Sequence, residues 1–296
     1  MQTYVEVIDR RILDLVPGDA AIDRIAAGFA FSEGPVWTNG YLLFNDIPNS
    51  RTVRLRELPE GSEVTTFRSP SDKANGMSID HEGRLIVCEG DSRSVTVVSD
   101  DGRATTLVDR FEGKRFNSPN DLAIKSNGEI YFSDPIYGLP PGDEKELDFN
   151  GVFVTDGVGN LRLVSDDFDG PNGLALSPDE KTLYVIDSGR RHVRALYLDE
   201  DGTVSGSNVL LDINEPGIVT PDGIKIDQLG NMYCSGPRGV WIADPSGEML
   251  GRIITPESPA NMAWGGDDWS TLYITSQSSI YRVQMLVNGI PVPYRG

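Results

Sequence analysis

Apolar and polar residues alternate with a period of two through much of the chain, as in Ser94-Val95-Thr96-Val97-Val98 and His192-Val193-Arg194-Ala195-Leu196-Tyr197. That period puts the apolar side chains on one face of an extended strand. Other short runs are almost wholly apolar, β-branched or aromatic: residues 85–88, 130–133, 183–186, 232–235 and 272–275. Such runs predict strands buried on both faces. Turn formers separate them, among them His81-Glu82-Gly83, Ser126-Asn127-Gly128 and Ser177-Pro178-Asp179-Glu180. Short strands bounded by Gly, Pro, Asn and Asp at regular spacing predict an all-β chain.

The spacing is a repeat. Residues 32–37 (SEGPVW), 74–79 (ANGMSI), 119–124 (PNDLAI), 171–176 (PNGLAL), 221–226 (PDGIKI) and 259–264 (PANMAW) share one pattern. Their second residues, Glu33, Asn75, Asn120, Asn172, Asp222 and Ala260, are separated by 42, 45, 52, 50 and 38 positions. Intervals of that size match a four-stranded blade, and six such units predict a six-bladed β-propeller with four antiparallel strands per blade. The last motif is followed by chain enough for three strands; residues 22–27 supply the fourth, so an N-terminal strand closes the last blade. The expected organisation is one propeller domain over residues 1–296, with 1–21 as an N-terminal extension. Each motif lies on the crossing from one blade's outer strand to the next blade's inner strand. The six second residues are therefore expected to ring one mouth of the central tunnel.

Composition narrows the partners. Lys and Arg total 26 against 45 Asp and Glu, a formal net charge of −19. Phosphate binding needs clustered basic residues, so nucleic acid and anionic membrane are excluded as partners, while cations are attracted. No stretch approaches the roughly 18–20 apolar residues that span a bilayer. The N-terminal residues lack an uninterrupted apolar run of the signal-peptide kind, which makes cytoplasmic the expected location. Two cysteines, Cys88 and Cys234, exclude a disulfide framework and a four-cysteine zinc site; both fall in second strands and read as reduced core thiols. Two histidines, His81 and His192, and the absence of a Gly-x-Ser-x-Gly run argue against serine-hydrolase chemistry. His81 falls at the far end of the tunnel and His192 on a solvated strand edge.

The mouth carries the chemistry. Glu33 and Asp222 bring two negative charges together, which is costly unless they are neutralised. A divalent cation does this, and Asn172 adds a carbonyl oxygen. All-oxygen ligation suits Ca²⁺, Mg²⁺ or Mn²⁺, with Zn²⁺ as a further option. Acids also stand where second strands end at this mouth: Asp46, Glu89, Asp134 and Asp187. They line the pocket or fix loop amides. Asp134 is the candidate for substrate contact, because it opens the longest insertion. That insertion, residues 135–150, carries Tyr137, Leu139 and Phe149, and is expected to fold over the mouth with Tyr137 as a pocket wall. With Asn75 and Asn120 on the ring, the pocket is polar and fits a hydroxylated ring better than a long acyl chain.

These motifs resemble the gluconolactonase/regucalcin (senescence-marker-protein) family. SEGPVW at Glu33, FNSPNDLAIKSNGEIYFSDP around Asn120, GPNGLALSPDEKTLYVIDS around Asn172, TPDGIKID around Asp222 and NMAWGGDDWSTLYIT near the end carry the resemblance over nearly the whole chain. SDPIYGL and KELDFNGV place it nearest the bacterial gluconolactonase-like branch. The resemblance implies a lactonase that hydrolyses a sugar (aldono-) lactone to the free acid. It implies Glu33, Asn172 and Asp222 as ligands of one divalent metal, Ca²⁺ before Mg²⁺, Mn²⁺ or Zn²⁺, and Asp222 as general acid/base. Asn120 matches the asparagine that contacts substrate or a metal-bound water. The animal regucalcin branch has an arginine two residues before that asparagine; this chain has Ser118. Two other readings stand beside this one: a non-catalytic calcium- or protein-binding propeller, and a metal-dependent aryl-esterase or phosphotriesterase. The Glu33/Asn172/Asp222 set, which a scaffold does not need, separates the first from an enzyme.

Overall fold

The computed structural model describes residues 4–215 and 219–293. Six antiparallel sheets, each with the four strands of a blade and one with a fifth strand added, are arranged as the blades of a propeller. Blade 1 is Ser32–Thr38, Tyr41–Asp46, Arg51–Glu57 and Ser62–Arg68; blade 2 runs from Ala74–Ile79 out to Ala104–Val108. Blade 3 runs from Leu122–Ile124 to Leu161–Phe168, and blade 4 from Pro171–Leu176 to Val204–Asp212. Blade 5 runs from Ile224–Ile226 to Met249–Ile254. Blade 6 has Asn261–Gly265, Thr271–Ser276 and Ser279–Gln284, and Ile22–Ala27 pairs antiparallel with Ser279–Gln284 as its outer strand. The ring is thus closed by the N-terminal strand, as the spacing predicts.

The second strands are the most buried, because each is covered by the sheets on both sides. Leu42, Phe44, Ile86, Phe132, Ile186 and Ile274 are fully enclosed. Between blades 2 and 3 the filling is aromatic: Phe116 meets Phe132 and Phe153 with ring centroids 5.2 and 5.1 Å apart. Such packing fixes each blade against the next and so fixes the tunnel.

The N-terminal extension is built into the fold. Tyr4–Val7 adds a fifth strand to blade 5, in register from Tyr4 opposite Ile254 to Val7 opposite Gly251. A 3₁₀ turn at Arg10–Asp14 then buries Ile12, Leu15 and Val16 with Leu250, Ile253 and Met285. No helix among the described residues is long and apolar enough to cross a membrane.

Candidate active site

The motif residues reach the mouth by a local device. In blades 1, 2 and 4 the strand register shifts between Glu33 and Val36, Ala74 and Met77, and Pro171 and Leu174. A bulge there re-aims a side chain that a regular strand would point into the sheet. Gly34 takes a φ of 55° at the first bulge, and a Cβ there would strike the carbonyl oxygen of Asn75. Backbone bonds then link the motifs blade to blade: Gly76 N–H donates to Asn120 O at 2.7 Å, Gly173 to Asp222 O at 2.8 Å, and Gly223 to Ala260 O at 2.8 Å. Asn45 donates to Asn75 O at 2.6 Å. Hydrogen bonds thus tie the motifs together across four of the six blade junctions, three of them through backbone alone.

Glu33 is 2% exposed. Its Oε2 accepts the Gly34 amide and, at 3.1 Å, the Asn261 side-chain amide. Burial, then the charges of Asp222 and Asp121, push its carboxyl well above the usual range. Asp222 is raised in the same way, first by burial and then by Asp121, against the pull of Asn172 and Lys225. Its backbone is seated by its amide donating to Ser235 Oγ at 3.1 Å. Asn172 donates to Ser188 Oγ at 3.1 Å, and Ser188 donates to Pro221 O at 2.6 Å, which ties the Asn172 side chain to the blade that carries Asp222. Two crowded carboxylates with amide side chains beside them match, in chemical type, the oxygen donors that hard cations take. Among the described residues no three His, Cys, Asp or Glu side chains converge as a ligand set; the third donor of the expected site is an amide, Asn172. Asn120 and Asn75 stand on the same ring; Asn75 and Asp222 are partly exposed, while Asn120 and Asn172 are nearly enclosed.

Other expected residues occupy different places. Both oxygens of Asp134 are engaged by loop amides, Asn117 at 2.8 Å and Ser118 at 2.7 Å, and the residue is fully enclosed. Burial pushes its carboxyl up to about 7 in spite of those donors. Asp46 accepts the amides of Ala30 and Phe31, and Asp187 those of Asp169 and Gly170. In three blades, then, the acid ending the second strand clamps the crossing that delivers the mouth residue. Glu89 differs: it takes Arg68, Ser92 and Thr96. From blade 6 the side chain that reaches the mouth network is Asn261, not Ala260.

The long insertion spans three blades. Leu147 is buried with Phe116 and Phe132, and Asp143 pairs with Arg93 at 3.1 Å. At its other end Tyr137 lies against blade 4, where a Cβ on Gly170 would collide with its hydroxyl and where Ser188 is within hydrogen-bonding reach. Although the Tyr137 residue is 52% exposed, burial and the carboxylates of Asp187, Asp169 and Asp222 push its hydroxyl up to about 12. It stays protonated at neutral pH.

Asp121, Asn261 and Lys225 form a second tier that the sequence reading passed over. The signal lay in the third motif position, which is glycine at 34, 76, 173 and 223 but aspartate at 121 and asparagine at 261. Farther along the tunnel the inner strands turn apolar, and Val36, Leu122, Leu174, Ile226 and Trp264 line a cavity of about 110 Å³ open to solvent at the opposite end. Among the described residues its lining holds a single carboxylate, Glu180. His81 sits away from the mouth with Nε2 at 3.0 Å from Lys125 O. His192 is partly enclosed beside Asp187 and Asp212 rather than solvated. Cys88 and Cys234 are fully buried free thiols, pushed up by burial.

Comparison with known proteins fits this geometry. A gluconolactonase from Zymomonas mobilis is 37% identical over 290 residues, covering 89% of this chain and 81% of the relative. The pentonolactonase XacC of Haloferax volcanii is 28% identical over 254 residues, covering 82% and 80%. A gluconolactonase structure from Xanthomonas campestris superposes with a TM-score of 0.88 at 30% identity, over 95% of each chain. The model of the SMP-30/gluconolactonase/LRE-like region matches residues 31–278, which contain every mouth residue from Glu33 to Asn261. The chain belongs to the SMP-30/gluconolactonase/LRE-like family.

Proposed function

We propose that the chain is a metal-dependent lactonase that opens a sugar lactone to its free aldonic acid, acting in the cytoplasm. The observation that carries this reading is the pair of crowded carboxylates, Glu33 and Asp222, raised by burial and by their neighbours at a mouth lined with asparagine amides. Such a pair fits a divalent cation, with Glu33, Asn172 and Asp222 as its holders and Ca²⁺ the first choice. That ion would supply polarisation of the lactone carbonyl. Asp222 accepts the proton of the attacking water and returns it to the ring oxygen as the acyl C–O bond breaks. Asn120 and Asn75 hold substrate hydroxyls. Asp134 acts through the 117–118 loop that presents Asn120, not by touching substrate. The names of the relatives, gluconolactonase and pentonolactonase, support a sugar lactone as substrate. The two enclosed thiols suit a reducing compartment.

The test is a panel of lactones with added Ca²⁺, Mg²⁺, Mn²⁺ or Zn²⁺. Sugar lactones are expected to turn over faster than acyl-homoserine lactones; equal or better rates on long-chain lactones would overturn the substrate class. On the same panel Tyr137→Ala is expected to raise KM about tenfold, as loss of a pocket wall would, while calorimetric metal affinity stays near wild type. Unchanged kinetics across the panel would remove Tyr137 from the pocket.

A further inference from the structure

Asn261 is 3% exposed, and every hydrogen-bonding position of its side-chain amide is filled. Its Oδ1 accepts from the Met262 amide at 2.9 Å and from Lys225 Nζ at 3.1 Å. Its Nδ2 donates to Glu33 Oε2 at 3.1 Å and Asp121 Oδ2 at 3.2 Å. The reversed amide would aim its N–H groups at an ammonium and its oxygen at two carboxylates, so Lys225 fixes its sense. Lys225 also lies 3.6 Å from Asp121 Oδ2 and donates to Ile224 O at 3.0 Å. Its stem lines the apolar half of the tunnel, while its charged end reaches up to the polar half. Space for this tier is left by glycine: a Cβ on Gly76 would strike Asp121, and one on Gly223 would strike Asn261.

Charge follows from these contacts. Glu33, Asp121 and Asp222 carry three negative charges when ionised, and Lys225 carries one positive charge. The lysine is matched to Asp121, which leaves two negative charges facing the mouth. Glu33 has Oε2 engaged from below, which leaves Oε1 for a ligand.

We propose that Lys225 is the internal counter-cation of the mouth: it cancels Asp121 and locks the Asn261 amide, so that Glu33 and Asp222 present a site of net charge −2 matched to one divalent ion. The inference rests on the cation reading above and adds what sets the site's preference for ion charge.

The experiment compares Ca²⁺ and Tb³⁺ affinity by calorimetry and terbium luminescence in four proteins at one ionic strength. Taking the ratio of the two affinities cancels distortions that weaken both ions alike. Lys225→Met leaves the cluster more negative and is expected to shift the ratio about tenfold toward Tb³⁺, the size expected of one unit charge in a partly solvated site. Asp121→Asn is expected to shift it toward Ca²⁺, and the double variant to return it to wild type. If Lys225→Met shows no cooperative melting transition, Lys225→Gln carries the same comparison. An unchanged ratio in the lysine variant, or a double variant that keeps the shift, would overturn the inference. Failure of the wild-type protein to bind either ion would overturn the cation reading itself, and this inference with it.

Discussion

Asp222→Asn is expected to lower kcat on a sugar lactone by a factor on the order of 10³ or more, equivalent to about 4 kcal/mol of transition-state stabilisation. The substitution keeps side-chain size and one oxygen, and the backbone seat on Ser235 Oγ is untouched. What it removes is a negative charge at the mouth and the group that takes the water's proton. Calorimetry on the same variant divides the two roles. If the metal still binds within about tenfold of wild type, the loss reports proton transfer; if binding is lost, the charge toward the ion dominates. Turnover near wild type would exclude Asp222 from the chemistry. Asp134→Asn provides the contrast. Asp134 receives the Asn117 and Ser118 amides and is fully enclosed, so its replacement is expected to lower stability more than it alters kcat.

Removal of the metal is expected to abolish lactone hydrolysis and to make the protein progressively less stable as pH rises. The carboxyls of Glu33 and Asp222 are raised, chiefly by burial and then by neighbouring charge. In the metal-free native state they hold protons that the unfolded chain has already released above about pH 4. The native state then binds more protons than the unfolded one, so stability falls with rising pH. The Asp222 part of the loss begins at the ordinary carboxylate range and runs to about pH 7, the value to which it is raised, and Glu33 adds a loss of the same sign. A bound divalent ion replaces those protons and removes this part of the slope. Asp134, also raised to about 7, contributes a loss of the same sign with or without metal. The informative quantity is therefore the difference between melting curves in chelator and in metal, measured from pH 4.5 to 8. That difference is expected to widen with pH. A constant or narrowing gap would mean that these two carboxyls are not what the ion neutralises.

The blades are legible in the chain alone. Strand alternation and a motif recurring every 38–52 residues are local properties, and in a propeller each repeat packs mainly on its neighbours, so local pattern carries over directly into architecture. The same periodicity located Glu33, Asn75, Asn120, Asn172 and Asp222 at one mouth and assigned Ile22–Ala27 to the last blade. Other features depended on contacts between residues far apart in the chain. Tyr4–Val7 has no motif of its own, and only the open edge of Met249–Ile254 decided that it forms a fifth strand. Asp134 stands where a pocket acid could stand, but the nearby unpaired amides of residues 117 and 118 take both its oxygens. Tyr137 is placed by the gap above Gly170, in the next blade. Asn261 and Asp121 reach the axis because Gly223 and Gly76, on the adjoining blades, leave them room. A position's distance along the chain sets which blade carries it. Whether its side chain meets water, an amide or another charge is set by what the neighbouring blades bring to the same few ångströms of tunnel, and that is fixed only when the ring closes.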